Sequence, residues 1–290
     1  MRAVAMNARL QPAARAPARG WFGGPGCRTR PSPRKSLPLL ACVLTALLCA
    51  CAPRQRPALP WADARQLVLV VTPDWDAHGG TLQAFSRAGD AWRASAPATP
   101  VAIGRAGSAW GIGEHPPQPG PVKREGDGRS PAGVFAIGSA FGYAPAAATA
   151  LPYRALASDD YCIDVSGSPL YNRLVAAHEA GAEAVAGSTE PMRRDLHANG
   201  DDAYRIGFVI EHNPAGTPNA GSCIFVHLWK GPGSSTSGCT ALDEPALRAL
   251  LQWLDPRAHP VFVLLPRAEY LRLQAAWRLP AAAAADGSGP

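Results

Sequence analysis

From Gln66 onwards the chain is written in short apolar or β-branched runs divided by glycine, proline and aspartate. Gln66–Thr72 (QLVLVVT) is the strongest run. Thr81–Arg87 and Ala91–Ala96 flank Ala88-Gly89-Asp90, which reads as a hairpin turn. Val101–Ile103, Gly133–Ile137, Tyr161–Asp164, Gly207–Glu211 and Cys223–Leu228 are further short strands, and His259–Leu265 a late one. No window is long and periodic enough for a helical protein. Many short strands with such turns predict a mainly β fold, a sandwich or a barrel, with a few short helices.

The helices expected are few. Asp243 can cap one with Pro245 in its first turn, followed by Leu247, Leu250, Leu251 and Leu254 on one stripe. Glu269–Trp277 reads as a short closing helix, and Arg173–Arg194 holds one or two helical turns within a long connection. There is no internal repeat. One domain is expected over residues 62–279, with a disordered tail at 280–290 rich in Ala, Gly and Ser.

Charge is distributed unevenly. The formal net charge is +6, yet residues 1–50 hold eight basic side chains and no acidic one. Removing those eight from the 28 Lys and Arg leaves 20 against 22 Asp and Glu, so the remainder is slightly acidic. A nucleic-acid binder keeps a basic stripe in its folded part, so no nucleic-acid partner is expected. The basic stretch up to Lys35 and the apolar run Leu37–Ala50 have instead the layout of an export signal. The run is too short for the ~20 apolar residues that span a bilayer. It ends Leu48-Cys49-Ala50-Cys51, which resembles the lipobox of bacterial lipoproteins. Residues 1–51 are therefore expected to be a signal whose Cys51 carries lipid, although the length before the apolar run suggests a later start site. A flexible Pro/Arg-rich tether follows at 52–61. The expected location is the periplasmic face of a membrane, or the periplasm.

Of seven cysteines, Cys162, Cys223 and Cys239 lie beyond the signal and the lipobox. Export implies an oxidising compartment, where three thiols form at most one bridge and leave one over. Gly221–Leu242 (GSCIFVHLWKGPGSSTSGCTAL) concentrates the chemistry: a strand presents His227, a Gly/Ser-rich loop follows, and Cys239 comes twelve residues later. A free thiol, with a pKa of about 8.5, needs help to become a nucleophile. A nearby His supplies it through a thiolate–imidazolium pair. The helix start at Asp243 would favour negative charge nearby. Backbone N–H groups of Ser237, Gly238 and Cys239 are candidates for an oxyanion hole, in a loop that Thr236 opens. In isolation such a Cys is more often inert core and such a His a satisfied polar group. The spacing of Cys223, His227, Cys239 and His212 fits no zinc pattern, and neither metal nor cofactor is expected.

Thr236-Ser237-Gly238-Cys239, with His227 on the strand before it, resembles the S-x-G-C signature of the L,D-transpeptidases (YkuD-type). Lys123–Phe135 (KREGDGRSPAGVF) is similar to that family's G-D-x-x-[ST]-P-x-G-x-[FY] segment, which also lies N-terminal to the catalytic block. The resemblance spans most of residues 66–265. It implies a β-sandwich catalytic domain, Cys239 as nucleophile, His227 as base, no cofactor, and peptidoglycan stem peptides as substrate for a monomeric enzyme. Position 236 is Thr where Ser is usual, and the His–Cys spacing is short. Ala241 stands where many members carry a carboxylate-binding Arg, as in a branch with an apolar residue there. Lys230, Arg205 and Arg124 are candidates to replace that cation. His212, in the strand-ending Glu211-His212-Asn213, is a further cleft candidate. A nucleophilic Cys239 must stay free, which leaves Cys162 and Cys223 as the disulfide candidates; two separate buried thiols are the alternative. Trp110 and Trp229 could stack on substrate or belong to the core. Asp127 is expected to order its loop. Two other functions remain open: a hydrolase of the same fold (L,D-carboxypeptidase or amidase), and a catalytically silent wall-binding lipoprotein.

Overall fold

The computed structural model describes residues 58–282. The export signal, the candidate lipidation site Cys51, most of the tether and the end of the tail lie outside the described residues.

The first strand, β1 (Gln66–Thr72), is buried along its whole length. A β-branched run of this kind suits a strand covered on both faces. It is followed by β2 (Gly79–Ala88) and β3 (Ala91–Ala94). These pair as a hairpin through Gly89-Asp90, where Gly89 adopts φ 61°, a left-handed conformation that glycine reaches without steric cost. Next come β4 (Thr99–Ala102), β5 (Ser108–Trp110), the long β6 (Ser130–Gly142) and β7 (Tyr153–Ala155). An excursion then carries β8 (Asp160–Cys162), β9 (Leu174–Ala176), the single turns α1 (Ala177–Ala180) and α2 (Ala182–Val185), β10 (Glu190–Pro191) and α3 (Arg194–His197). The chain returns through β11 (Ile206–Ile210), β12 (Phe225–Leu228), β13 (Thr240–Leu242), α4 (Glu244–Trp253), β14 (Val261–Pro266) and α5 (Arg267–Trp277).

The protein is mainly β, as the strand pattern predicts, but the main sheet closes on itself. Its order is β1–β14–β6–β11–β12–β13–β4–β2, and β2 pairs back to β1. The expected two-sheet sandwich is thus replaced by an eight-strand barrel. β1 is hydrogen-bonded on both sides, parallel to β14 and antiparallel to β2. Closure removes the unpaired strand edges that a sandwich must protect. The seam is thinnest at β13–β4, which meet at Ala241↔Ala102. A separate three-stranded sheet, β10–β8–β9, forms the excursion.

Local signals explain the helix beside the site. Asp243 caps α4 by accepting from the Ala246 N–H at 3.0 Å, Pro245 lies in the first turn, and Leu247, Leu250 and Leu251 are buried. The main core gathers Leu67, Phe135, Phe208, Phe262 and Leu247 with their neighbours. Burying each such side chain contributes about 1.5–3 kcal/mol. A second, smaller cluster contains Phe141, Met192, Tyr204, Phe225 and the three cysteines. The domain reaches slightly beyond 62–279. Trp61, read as tether, is buried edge-on against Trp277 and donates to its carbonyl. Pro280 and Ala282, read as tail, are bound by the Tyr270 hydroxyl. In both places an apolar or aromatic contact outweighs local composition.

Candidate active site

His227 lies on β12, and Cys239 immediately precedes the parallel strand β13. The register pairs Val226 with Thr240 and His227 with Ala241, which puts Cys239 across from Phe225. Phe225 and His227 share a face because strand side chains alternate, so Cys239 stands on the imidazole's side, one diagonal step away. Diagonal neighbours lie about 7–8 Å apart before their side chains reach toward each other. Both residues line one cavity of about 600 Å³.

The thiol and the imidazole do not form the ion pair expected from the sequence. The Cys239 thiol donates to the Cys223 carbonyl at 3.4 Å and accepts from the Phe225 N–H at 3.3 Å. Burial, reinforced by the Glu190 carboxylate, pushes its pKa up to about 12. His227 donates from Nδ1 to the Leu228 carbonyl at 2.8 Å. That bond fixes the neutral tautomer and leaves the Nε2 lone pair available. Burial lowers the His227 pKa to about 4. Withdrawal from water disfavours both charged forms, so the resting pair is neutral thiol and neutral imidazole.

Two other expectations are corrected nearby. The α4 dipole does not reach Cys239, because β13 and the Asp243 cap intervene. Four residues at ~3.3 Å each put the helix roughly 13 Å along the chain, beyond the first-turn range of the effect. Gly238 does not offer a free oxyanion donor: its N–H is held by the Thr236 hydroxyl at 3.1 Å. The Thr236 N–H goes to the Ile103 carbonyl at 2.9 Å. Thr236 and Gly238 therefore shape the loop that carries Cys239. A Cβ on Gly238 would meet the Arg129 carbonyl at 3.1 Å, so a side chain there would press the loop off its bed by a few tenths of an ångström. Of the three N–H groups expected to form the oxyanion hole, those of Ser237 and Cys239 remain candidates.

The KREGDGRSPAGVF segment is the bed on which that loop rests. Asp127 pairs with the buried Lys123 at 2.6 Å and accepts from the N–H groups of Arg124 and Arg129, so it orders the loop as expected. Ser130 donates to the Cys239 carbonyl at 3.2 Å and accepts from the Gly104 N–H at 2.9 Å. Thr236 donates to the same Cys239 carbonyl at 2.6 Å. Gly133, at φ 138°, leaves room for His115, whose ring a Cβ would strike.

Cys162 and Cys223 are joined, and Cys239 is the free cysteine among the described residues. The bridge ties β8 of the excursion to the segment entering β12. It also removes Cys223 from any ligand set, and among the described residues no group of three His, Cys, Asp or Glu converges to hold a metal.

The cations sort differently from the sequence expectation. Lys230 lines the cavity and pairs with Asp201 at 3.2 Å. Arg205 does not line it: Arg205 pairs with Glu244 at 2.7 Å, beside a separate shallow pocket. Arg124 is exposed and contributes its backbone to the Asp127 loop. His212 is buried, with Nδ1 accepting from Ile112 N–H and Nε2 donating to the Ala220 carbonyl. With both nitrogens occupied and its pKa lowered by burial to about 4, His212 is a structural residue. Trp110 is core, and Trp229 lines the cavity.

Sequence reasoning missed four residues. Tyr204 packs its ring edge-on against His227 at 5.2 Å. Arg194 lies over that ring at 5.2 Å and pairs with Asp201 at 2.9 Å. Arg105 donates to the Ser237 hydroxyl at 2.9 Å. Glu190, on the excursion, lines the same cavity as the thiol and acts on it through its charge. The acidic and basic residues of 190–201 read locally as a solvated surface, and only the fold turns them inward.

Comparison with known proteins adds no assignment: no family model, no curated protein and no solved structure matches this chain.

Proposed function

We propose that this chain is a cysteine-dependent L,D-transpeptidase acting on peptidoglycan stem peptides through a Cys239 acyl-enzyme. The observation that carries the reading is the placement of Cys239 and His227 on one face of adjacent parallel strands, at one cavity, with the KREGDGRSPAGVF segment braced beneath the nucleophile. On the strength of the same two motifs, the mainly β scaffold is assigned to the L,D-transpeptidase type.

Substrate triggers the chemistry, because the resting thiol and imidazole are both neutral. As the scissile carbonyl enters, the thiol leaves the Cys223 carbonyl and gives its proton to His227 Nε2. The sulfur attacks the carbonyl carbon at the third residue of the stem, and the developing oxyanion is met by the backbone N–H groups of Ser237 and Cys239. Collapse expels the terminal D-Ala amine, which takes the proton from His227. An amine of a neighbouring stem resolves the thioester. Nδ1, held by Leu228, keeps the imidazole oriented throughout. Lys230, Arg194 and Arg105 take the place of the cation missing at Ala241.

Export is part of the proposal. The signal, with lipid on Cys51, places the domain at the periplasmic face of a membrane, and the Cys162–Cys223 bridge suits that oxidising compartment. Among the described residues no helix is long and apolar enough to cross a membrane.

Ala241 in the cavity wall favours a second reading, in which water resolves the same acyl-enzyme and the protein is a carboxypeptidase or amidase. Defined muropeptides incubated with the protein and read by mass decide. Cross-linked dimers support transfer, trimmed monomers support hydrolysis, and unchanged muropeptides contradict both.

A further inference from the structure

The excursion contributes Asp164, Thr189, Glu190 and Arg194 to the cavity that Cys239 lines, and Glu190 is fixed there by an unusual chain of connections. Glu190 opens β10 and pairs in register with Cys162. Cys162 is bonded to Cys223, and the Cys223 carbonyl receives the Cys239 thiol. The carboxylate is therefore tied to the nucleophile through one strand pair and one disulfide. Its side chain is 23% exposed, and it lines the cavity. Its Oε1 is sealed and has no hydrogen-bond partner.

A carboxylate oxygen held from water without a hydrogen-bond donor is costly, so a donor entering the cavity would meet an acceptor whose hydrogen bond is still unmade. Arg194 is ion-paired with Oε1 at 3.6 Å, too long for a hydrogen bond, and its guanidinium is shared with Asp201 at 2.9 Å. Lys230 is engaged by Asp201 too. Burial raises the pKa of Glu190, with Asp164 and Asp201 adding to the rise and Tyr204 and Arg194 opposing it. Such a carboxylate is a stronger base than an exposed one.

We propose that Glu190 receives the primary ammonium group of the acyl acceptor and takes its proton, so that amine rather than water resolves the Cys239 thioester. The inference rests on the acyl-enzyme reading above. The ammonium passes one proton to the Glu190 carboxylate, giving a neutral amine and a carboxylic acid. The amine nitrogen attacks the thioester carbonyl carbon, forming C–N and sending the π pair to oxygen. Re-forming C=O breaks C–S, and the electron pair leaves on sulfur. The surplus proton on nitrogen passes through His227 to the thiolate, and Glu190 returns its proton to solvent. The net change is thioester plus ammonium to amide plus thiol plus one proton.

The test uses the full chain, a stem tetrapeptide as donor, and two acceptors: glycinamide, and hydroxylamine, which is largely uncharged at neutral pH and needs no base. Intact mass follows acylation, and product mass gives the partition between acceptor and water. In Glu190→Gln, loss of the carboxylate that raises the Cys239 thiol pKa should leave acylation as fast as before or faster, while the glycinamide partition should fall about tenfold or more, the equivalent of ~1.4 kcal/mol. Hydroxylamine partition should hold, and Glu190→Asp should recover part of the loss. An unchanged glycinamide partition, a parallel loss with hydroxylamine, or a matching loss of acylation overturns the proposal. Absence of acyl-enzyme in the unsubstituted protein is a different failure: it removes the reading on which the proposal rests.

Discussion

Ser130 and Cys239, 109 residues apart in the chain, are joined by a buried hydrogen bond from the serine hydroxyl to the cysteine carbonyl at 3.2 Å. The bond links the two sequence motifs physically. One motif carries Cys239, and the other holds its backbone.

Ser130→Ala tests that link. The variant leaves the Gly104 N–H without its acceptor, and an orphaned buried donor costs about 1–3 kcal/mol. Chemical denaturation should show a loss in that range. Acylation should slow about tenfold or more through misplacement of the nucleophile. Wild-type acylation in a destabilised protein would mean that Ser130 supports the fold alone.

The disulfide closes a loop with a sequence separation of 61. In the chain-entropy model this stabilises the fold by roughly 4 kcal/mol. Peptide mapping without reduction should recover the Cys162 and Cys223 peptides as one linked species. Reduction should lower Tm and release the excursion first, read as faster hydrogen exchange over residues 160–201. Separate peptides carrying free thiols would contradict the bridge.

Acid should destabilise the protein in a defined window. His227 and His212 ordinarily titrate near 6.5, and burial lowers both to about 4 in the folded state. Below pH 6.5 the unfolded chain binds protons that the folded chain refuses, so stability falls as pH drops from 6.5 to 4. The loss is complete below pH 4, at about 3 kcal/mol for each His. His227→Gln should flatten the dependence of unfolding free energy on pH across that window. An unaltered slope would show that His227 is not held neutral by burial.

The cavity cations should separate from the surface ones. Arg194→Ala removes a cation lining the cavity and should raise KM about tenfold, consistent with the loss of a charged hydrogen bond. Arg205→Ala removes a cation paired with Glu244 elsewhere and should change KM less than about twofold. Equal effects of the two variants would contradict the placement of the substrate.

What the sequence makes legible is local. The β-branched run of β1, the Gly89 turn and the Asp243 cap each rest on residues within a few positions of one another, and each is found in the structure. The His227–Cys239 neighbourhood is also local, being one strand, one loop and the next strand. Barrel closure is not, because β1 pairs with β14 across almost the whole domain, and an apolar run does not name its partner. The two- and three-residue strands of the excursion are too short for any periodicity. Glu190, Arg194 and Tyr204 therefore carry no signal until that excursion is folded over the cavity. The orientation of the thiol toward Cys223 rather than His227 depends on burial, which a motif does not report.

The most direct test of the central claim is covalent. The protein is mixed with a stem tetrapeptide, quenched during turnover and peptide-mapped by mass. An acyl group should appear on Cys239 as free D-Ala is released. Cys239→Ala should show neither adduct nor product while unfolding at the same denaturant midpoint within error. Product formation at the unsubstituted rate by Cys239→Ala, or an adduct on any other residue, would contradict it.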